Sequence, residues 1–546
     1  MHLLLVLLVF VVAFGRGGYH PWATLVLELG AAGFALWVVF DVLRKTSPEK
    51  RRRLLEQRRA WRKLPRQARR RSDVTILPPG STLDEESHVL DLENYLLVLG
   101  YPFKRTGLGL PLLLLTIWIG LSVVPLPPGW LETISPEAYA SRMEARALTA
   151  DEAALGASPS SLAPFLTLRD IWQWLAYLAL FYAAFRLAEN AQRVERLTFG
   201  LFLGGIAAGA YGVVQWLLGL QSQAGLVASI AGIRATGSFG NPNHYAAFLG
   251  MILLCSLGWL GARWTRLARA GGRRSRRVDA QEAKARLIMG GLGIIIIGLG
   301  LIFSLSRSGI TFTLAGCVAL ALLTRREANS GESETIELGR SGQRPRSHGA
   351  YWALALAVAG FAVWIGIEPV LGRFAEIPAQ WEAEQARPQV WRDSLGAVED
   401  FWLTGSGLSS YRYVTANYRS FSGRLFYSWA HNDYLQLLIE LGIPGFLLLL
   451  WIMAVVWQRA QRTREELTSH PDLFYIHAGY CAAAVVVVLH SFTDFSLHLP
   501  ANFALLSAFL AVAIGLTPPG TEGPSVVLNV SPGTREPSNS SRTSRK

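Results

Sequence analysis

The sequence predicts an all-α integral membrane protein of about twelve transmembrane helices with one helical domain on its outer face. Three observations carry that expectation. Of 546 residues, 51% are hydrophobic, and apolar runs of about 17–25 residues, long enough to cross a bilayer, recur along the chain. The formal net charge of +13 is concentrated in particular loops, as the positive-inside rule describes, which excludes a nucleic-acid partner. One long loop, 368–430, is rich in Trp, Tyr and Phe, and aromatic surface of that extent either buries itself or stacks on sugar rings.

The spans follow in order. Residues 2–14 resemble the apolar core of a signal peptide but lack a basic leader and an A-x-A site, so they read as a retained first span. Span two is 22–43. The segment 44–105 carries Arg51-Arg52-Arg53 and Arg69-Arg70-Arg71, which puts it in the cytoplasm and the N-terminus inside. Its first half also fits a basic amphipathic helix on anionic lipid. Span three is 108–124, and the outer loop 126–168 has few basic residues and ends in a turn-rich stretch. Spans four and five are 171–188 and 197–218. An outer segment, 221–243, precedes span six at 244–262, and the strongly basic 263–286 is inside. Spans seven and eight, 287–304 and 309–323, make a hairpin around Ser306-Arg307-Ser308; 325–349 is a polar cytoplasmic linker. Span nine is 350–367, span ten 432–457, and spans eleven and twelve 475–489 and 501–516. The domains are therefore two N-terminal spans (1–43), a basic cytoplasmic segment (44–107), spans three to nine (108–367), an outer helical domain (368–431), spans ten to twelve (432–516) and a Ser/Pro/Gly-rich tail (517–546) expected to be disordered inside. Cys255, Cys317 and Cys481 all lie in apolar spans with no CxxC pair, so neither a disulfide framework nor structural zinc is expected.

Chemistry-bearing residues gather on the outer side. Asn432 or Asp433 can cap span ten, which leaves His431 beside the positive end of a helix dipole. That field disfavours an imidazolium and suits a general base. A wet histidine at a membrane boundary fits the same position. Arg234, Arg387 and Arg392 stand on outer segments; arginine grips phosphate bidentately and stays charged, and equally anchors lipid headgroups or loop ion pairs. Two such arginines and a neutral histidine could bind a lipid diphosphate and activate a hydroxyl without a metal. Asp494 with His490 and His498 is either an acid/base pair or a hydrogen-bonding cluster. Glu440, inside span ten, must face protein or a cavity. Asn241-Pro242-Asn243 can form a re-entrant turn that caps span six, and Arg307 fits a structural ion pair. Glu399-Asp400 lacks a third partner at ligand spacing, so no metal is expected.

Four motifs occur in order: Arg234-x-x-Gly237-x-Phe239-x-Asn241-x-Asn243; Ser306-Arg307-Ser308-Gly309; Arg387-x-x-x-Trp391 with Gly405-x-Gly407; and His431-Asn432-x-Tyr434-Leu435-x-x-x-x-Glu440-x-Gly442-x-x-Gly445. Over residues 100–516 the chain resembles the O-antigen ligase and O-antigen polymerase superfamily. The resemblance implies a GT-C-type glycosyltransferase of the bacterial inner membrane, with both termini cytoplasmic and a periplasmic active site. It implies an undecaprenyl-diphosphate-linked glycan as donor, no cofactor or metal, and inversion by single displacement. By position, Arg234 and Arg387 resemble the diphosphate-binding arginines, with Arg392 the alternative to Arg387. His431 resembles the base toward the acceptor hydroxyl, and Asn243, Arg307, Asn432, Glu440 and Asp494 are supporting residues. A ligase acting on lipid A core, another glycan or a protein is the leading expectation. A polymerase of the same superfamily is the alternative, and a polysaccharide or lipid transporter, a fold expected to show paired broken helices and repeat symmetry, is a third.

Overall fold

The computed structural model describes residues 1–49, 51–52, 55–56, 74–76, 95–98, 101–149, 155–220, 234–270, 277–337, 368–375, 387–420, 427–518 and 526–528. The chain divides into two compact units, Met1–Ala35 with Thr106–Pro519 and Leu36–Arg105 with Gly520–Lys546.

The large unit is helical. Its helices are α1 (His2–Phe14), the start of α2 (Pro21–Lys45), α3 (Gly109–Leu121), α4 (Pro128–Ile134), α5 (Pro136–Leu148), α6 (Pro164–Ala188), α7 (Ala191–Leu217), α8 (Pro242–Ala270), α9 (Arg277–Phe303), α10 (Arg307–Glu337), α11 (Glu368–Ala375), α12 (Arg387–Asp400), α13 (Tyr411–Val414), α14 (Asp433–Glu466), α15 (Pro471–His490) and α16 (Pro500–Gly515). Proline opens α4, α5, α6, α15 and α16, where its fixed φ suits the helix and its missing N–H is not needed. Among the described residues eight helices are long and apolar enough to cross a membrane, and α1, α3 and α16 are shorter apolar helices. The expected ninth span, 350–367, lies outside the described residues.

Helix α8 is the centre of this unit. It is apolar on every side, and 94% of its most apolar window is buried, as an all-round hydrophobic helix requires. It packs on α15, α7, α9 and α10. Small residues set the closest crossing: a Cβ on Gly258 would come within 2.5 Å of the Tyr475 carbonyl and 2.8 Å of the Gly479 Cα, so the two backbones touch where no side chain intervenes.

Helix α14 is broken about two and a half turns inside its start. Gly442 takes φ 65°, ψ 178°, and Pro444 follows; a Pro lacks the N–H that would continue the ladder. The carbonyls released there find other donors. Ile439 O accepts from Ser406 N at 2.9 Å, Glu440 O from Gly407 N at 3.0 Å, and Leu441 O from Trp118 Nε1 at 2.8 Å. Gly405 is at φ +68°, and a Cβ there would lie 2.3 Å from the Glu440 carbonyl oxygen. The Gly405-x-Gly407 and Gly442 motifs are thus two halves of one junction, which docks the 387–420 segment on the head of α14.

Several elements differ from the sequence expectation. Residues 128–148, expected as loop, form α4 and α5; Leu131 and Ala138 join Ala397, Phe401, Tyr411, Val414, Ala430 and Ile439 in one buried apolar cluster. The domain expected at 368–431 therefore recruits residues from the earlier loop, because its aromatic surface needs apolar partners beyond its own segment. Helix α10 continues to Glu337, through a stretch read as linker, since Arg325-Arg326-Glu327-Ala328 are good helix formers. In the small unit the all-α expectation gives way to two short strand pairs. β1 (Val74–Ile76) pairs in parallel with β4 (Val526–Leu528), and β2 (Tyr95–Val98) pairs antiparallel with β3 (Tyr101–Lys104). Val526–Leu528 lies in the tail expected to be disordered; two β-branched valines, Val526 and Val527, opposite Val74 and Thr75 suit a ladder.

Candidate active site

The site is assembled where α14 begins. Asn432, not Asp433, is the cap: its Oδ1 accepts from Leu435 N at 3.1 Å. His431 immediately before it has φ 51°, a left-handed backbone that costs a non-glycine residue about 1–2 kcal/mol and persists only where neighbours hold it. Trp391 Nε1 donates to Ala430 O at 2.9 Å, Ala430 N donates to Gln436 Oε1 at 3.1 Å, and Asp433 N donates to Ser491 O at 2.8 Å. The strained turn is pinned from α12, α14 and the end of α15, and it aims the imidazole at Asp494.

Asp494 is the hub. It lies in the turn after α15, with its N–H on His490 O at 3.1 Å, and it is fully buried. Its Oδ2 accepts from Asn243 Nδ2 at 2.6 Å and its Oδ1 from Phe495 N at 2.9 Å. His431 Nδ1 stands 3.3 Å from Oδ1, His244 Nε2 3.5 Å from the same oxygen, and Arg387 Nη2 3.6 Å from Oδ2. Burial pushes the carboxyl up, but Arg387 and the neighbouring His244 and His431 rings hold it well below its ordinary 3.8. Asp494 is therefore an anion in the resting site. An anion facing Nδ1 selects the tautomer with Nδ1–H donated to Asp494, which leaves the Nε2 lone pair as acceptor.

Arg387 also donates through Nη1 to Thr493 O. Arg234 joins through Asn243, whose Oδ1 is 3.5 Å from its Nη2; the same guanidinium donates to Ser304 O at 3.0 Å and Leu305 O at 3.1 Å. Leu305 is itself at φ 51°, so a strained hairpin between α9 and α10 orients this arginine. The ring of Phe495 lies edge-on to His431 at 4.9 Å and to His244 at 4.5 Å, and stacks on Trp429 at 5.1 Å. One face of the cluster is thereby apolar.

A second network supports the first. His498 Nδ1 lies 2.8 Å from Asp433 Oδ1, and its Nε2 lies 3.1 Å from Gln436 Nε2, which donates to Glu440 Oε1 at 3.0 Å. Glu440 Oε1 also accepts from Tyr411 N at 3.3 Å, so the carboxyl inside the span faces protein, as expected. Burial works against a charged His498, but its hydrogen bond to Asp433 and that residue's charge raise the group above its ordinary 6.5.

The structure brings His431, Asp494, Arg387, Asn243 and Arg234 together. Arg392 is excluded from the cluster, exposed on the other side of α12. Arg307 opens α10 and is half-buried at the hairpin. The side chain of Asp494 hydrogen-bonds neither His490 nor His498, against one of the two sequence readings. His490 instead lies 2.9 Å from Ser308 Oγ and 3.4 Å from Ser496 Oγ, and His498 belongs to Asp433. The sequence reading missed His244 and Gln436. His244 directly follows Asn243, so its place on the same helix turn was available from spacing alone; Gln436 at i+4 before Glu440 was a weaker signal.

The arrangement offers an oriented imidazole, a buried carboxylate behind it and two guanidinium groups beside it, at the head of membrane helices. No curated protein matches the chain. Residues 292–450 match a family model described as O-antigen ligase. That match supports the resemblance which the ordered motifs carry to the O-antigen ligase and O-antigen polymerase superfamily, and the apolar helices fit a multi-span membrane protein.

Proposed function

We propose that the protein transfers a glycan from a polyprenyl-diphosphate donor to an acceptor hydroxyl at the periplasmic face of the inner membrane. The observation that carries this reading is one buried carboxylate, Asp494, faced at once by His431 and Arg387 and tied through Asn243 to Arg234. His431 Nε2 takes the proton as the acceptor oxygen attacks the anomeric carbon. A new C–O bond forms there as the bond from that carbon to the diphosphate oxygen breaks, and the diphosphate departs with the electron pair. Arg387 and Arg234 stabilise its charge, and one displacement inverts the carbon. In this reading the arginines supply what a divalent ion would supply elsewhere. The acceptor is lipid A core, another glycan or a protein. A polymerase would use the same chemistry with a second carrier-linked glycan as acceptor.

Deleting the gene and following the glycan tests the reading. Full-length glycan left on its carrier is the expected result. Single repeats joined to the final acceptor point to a polymerase, and precursor trapped on the cytoplasmic side contradicts transfer altogether.

A further inference from the structure

A cavity of about 420 Å³ opens between residues 390–419 and Tyr427, beside the site but not part of the cluster on Asp494. It is lined by Asp393 and Ser394 of α12, Thr415 and Arg419 after α13, and Tyr427. Its volume lies in the range of about 300–1,000 Å³ usual for small-molecule sites.

The lining has a definite chemistry. Asp393 is held in place by Gln389 Nε2 at 2.7 Å and by Ser420 N at 3.0 Å, and the hydroxyls of Ser394 and Tyr411 meet at 2.9 Å. One carboxylate and one guanidinium line the cavity with hydroxyls and phenol rings between them. Charges of both signs do not select a phosphate, and the polar groups do not suit an alkyl chain. Hydroxyl-rich donors and acceptors with aromatic faces suit a neutral polyhydroxyl molecule, whose rings carry both O–H groups and apolar C–H faces.

Position decides which saccharide. All the lining residues lie in 390–419 or at Tyr427, and none comes from a membrane-length helix. Tyr427 connects the cavity to the site: its ring stands edge-on to His431 at 6.2 Å. A molecule in the cavity thus lies next to the base and apart from the helices that would seat a lipid. We propose that this cavity is the saccharide subsite of the acceptor, holding the sugar whose hydroxyl His431 deprotonates; this rests on the glycosyl-transfer reading above.

The test uses the purified full-length protein in lipid nanodiscs, with saccharide released by mild acid from the source cells' envelope as probe. Saturation-transfer NMR reads binding, and thermal unfolding verifies the fold of each variant. Ala416 is an exposed lining residue, so Ala416→Trp fills the cavity from its rim without disturbing the core. Wild type and His431→Ala are expected to bind the probe equally; Ala416→Trp and Tyr427→Ala are expected to weaken binding about tenfold, the size of one lost aromatic contact or its steric equivalent. In transfer assays Ala416→Trp should raise the acceptor KM and leave the donor KM unchanged. Absence of binding by the wild type, wild-type binding by folded Ala416→Trp, or a raised donor KM alone overturns the proposal. Cavity-dependent binding with no transfer by any chain contradicts the glycosyl-transfer reading and leaves the saccharide site standing.

Discussion

His431 Nδ1 and Asp494 Oδ1 lie 3.3 Å apart although 63 residues of chain separate them. The carboxylate fixes which ring nitrogen carries the proton, so replacing it should act through the tautomer. Asp494→Asn keeps the volume but can present an N–H to Nδ1, which favours the tautomer with Nε2 protonated. Transfer per folded molecule should fall by about 10²- to 10⁴-fold, the range of a general base. Turnover of purified variant with lipid-linked donor measures it; an unchanged rate removes Asp494 from the mechanism.

The two arginines of α12 separate cleanly. Arg387 faces Asp494 and Arg392 is exposed away from it. Arg387→Lys should lose most activity, since an ammonium cannot replace the planar fork, whereas Arg392→Lys should retain it. Arg234→Lys should resemble Arg387→Lys. Initial rates against donor concentration check all three, and full activity in both Arg234→Lys and Arg387→Lys contradicts a diphosphate clamp.

Stability should depend on pH from both sides. His498 is raised above its ordinary 6.5 by Asp433, so its contribution is complete below that value and is lost as pH rises through the folded-state value. Asp494 is held below its ordinary 3.8, so its contribution is present above that value and is lost as pH falls. The unfolding temperature of the detergent-purified protein should therefore decline as pH rises above about 6.5. His498→Gln should lower it at pH 6 and remove that decline. A variant that keeps the wild-type decline assigns the effect to another group.

Gly405 is irreplaceable for a geometric reason. Gly405→Ala combines φ +68° with a Cβ 2.3 Å from the Glu440 carbonyl, so it should cost more than the about 1–2 kcal/mol of a left-handed alanine alone. Gly120→Ala in α3 meets nothing within 4 Å and should be neutral or slightly stabilising. Fluorescence-detected gel filtration after a temperature series distinguishes them. Equal survival of the two contradicts the junction between the 405–407 loop and α14.

Much of this was legible in the sequence, for identifiable reasons. Apolar runs and basic loops gave the helices because hydropathy is a local property of the chain. His431, Arg234 and Arg387 were legible because they sit in motifs at helix boundaries. What the sequence left open depends on tertiary proximity. Nothing local tells Arg387 from Arg392; the choice follows from which face of α12 meets the turn after α15. Asp494 lies four residues from His490 and four from His498, and sequence distance pointed to them rather than to His431, which reaches it only when α14 and α15 are side by side. In the sequence Gly405, Gly407 and Gly442 are only motif positions, and it is the break in α14 that makes them two sides of one contact. Helices α4 and α5 were missed because their apolar residues are few and meaningful only against Phe401 and Tyr411.

The central claim is that His431, oriented by Asp494, is the base that receives the acceptor proton. The measurement that tests it most directly is the pH–rate profile of wild type and His431→Ala, with purified enzyme, lipid-linked donor and acceptor. A base must be neutral to act, so the wild-type rate should fall on the acid side. His431→Ala should run about 10²- to 10⁴-fold slower, bind donor as before and show no such acid limb. Transfer by folded His431→Ala at near wild-type rate, or a slowed variant that keeps the wild-type acid limb, contradicts the claim.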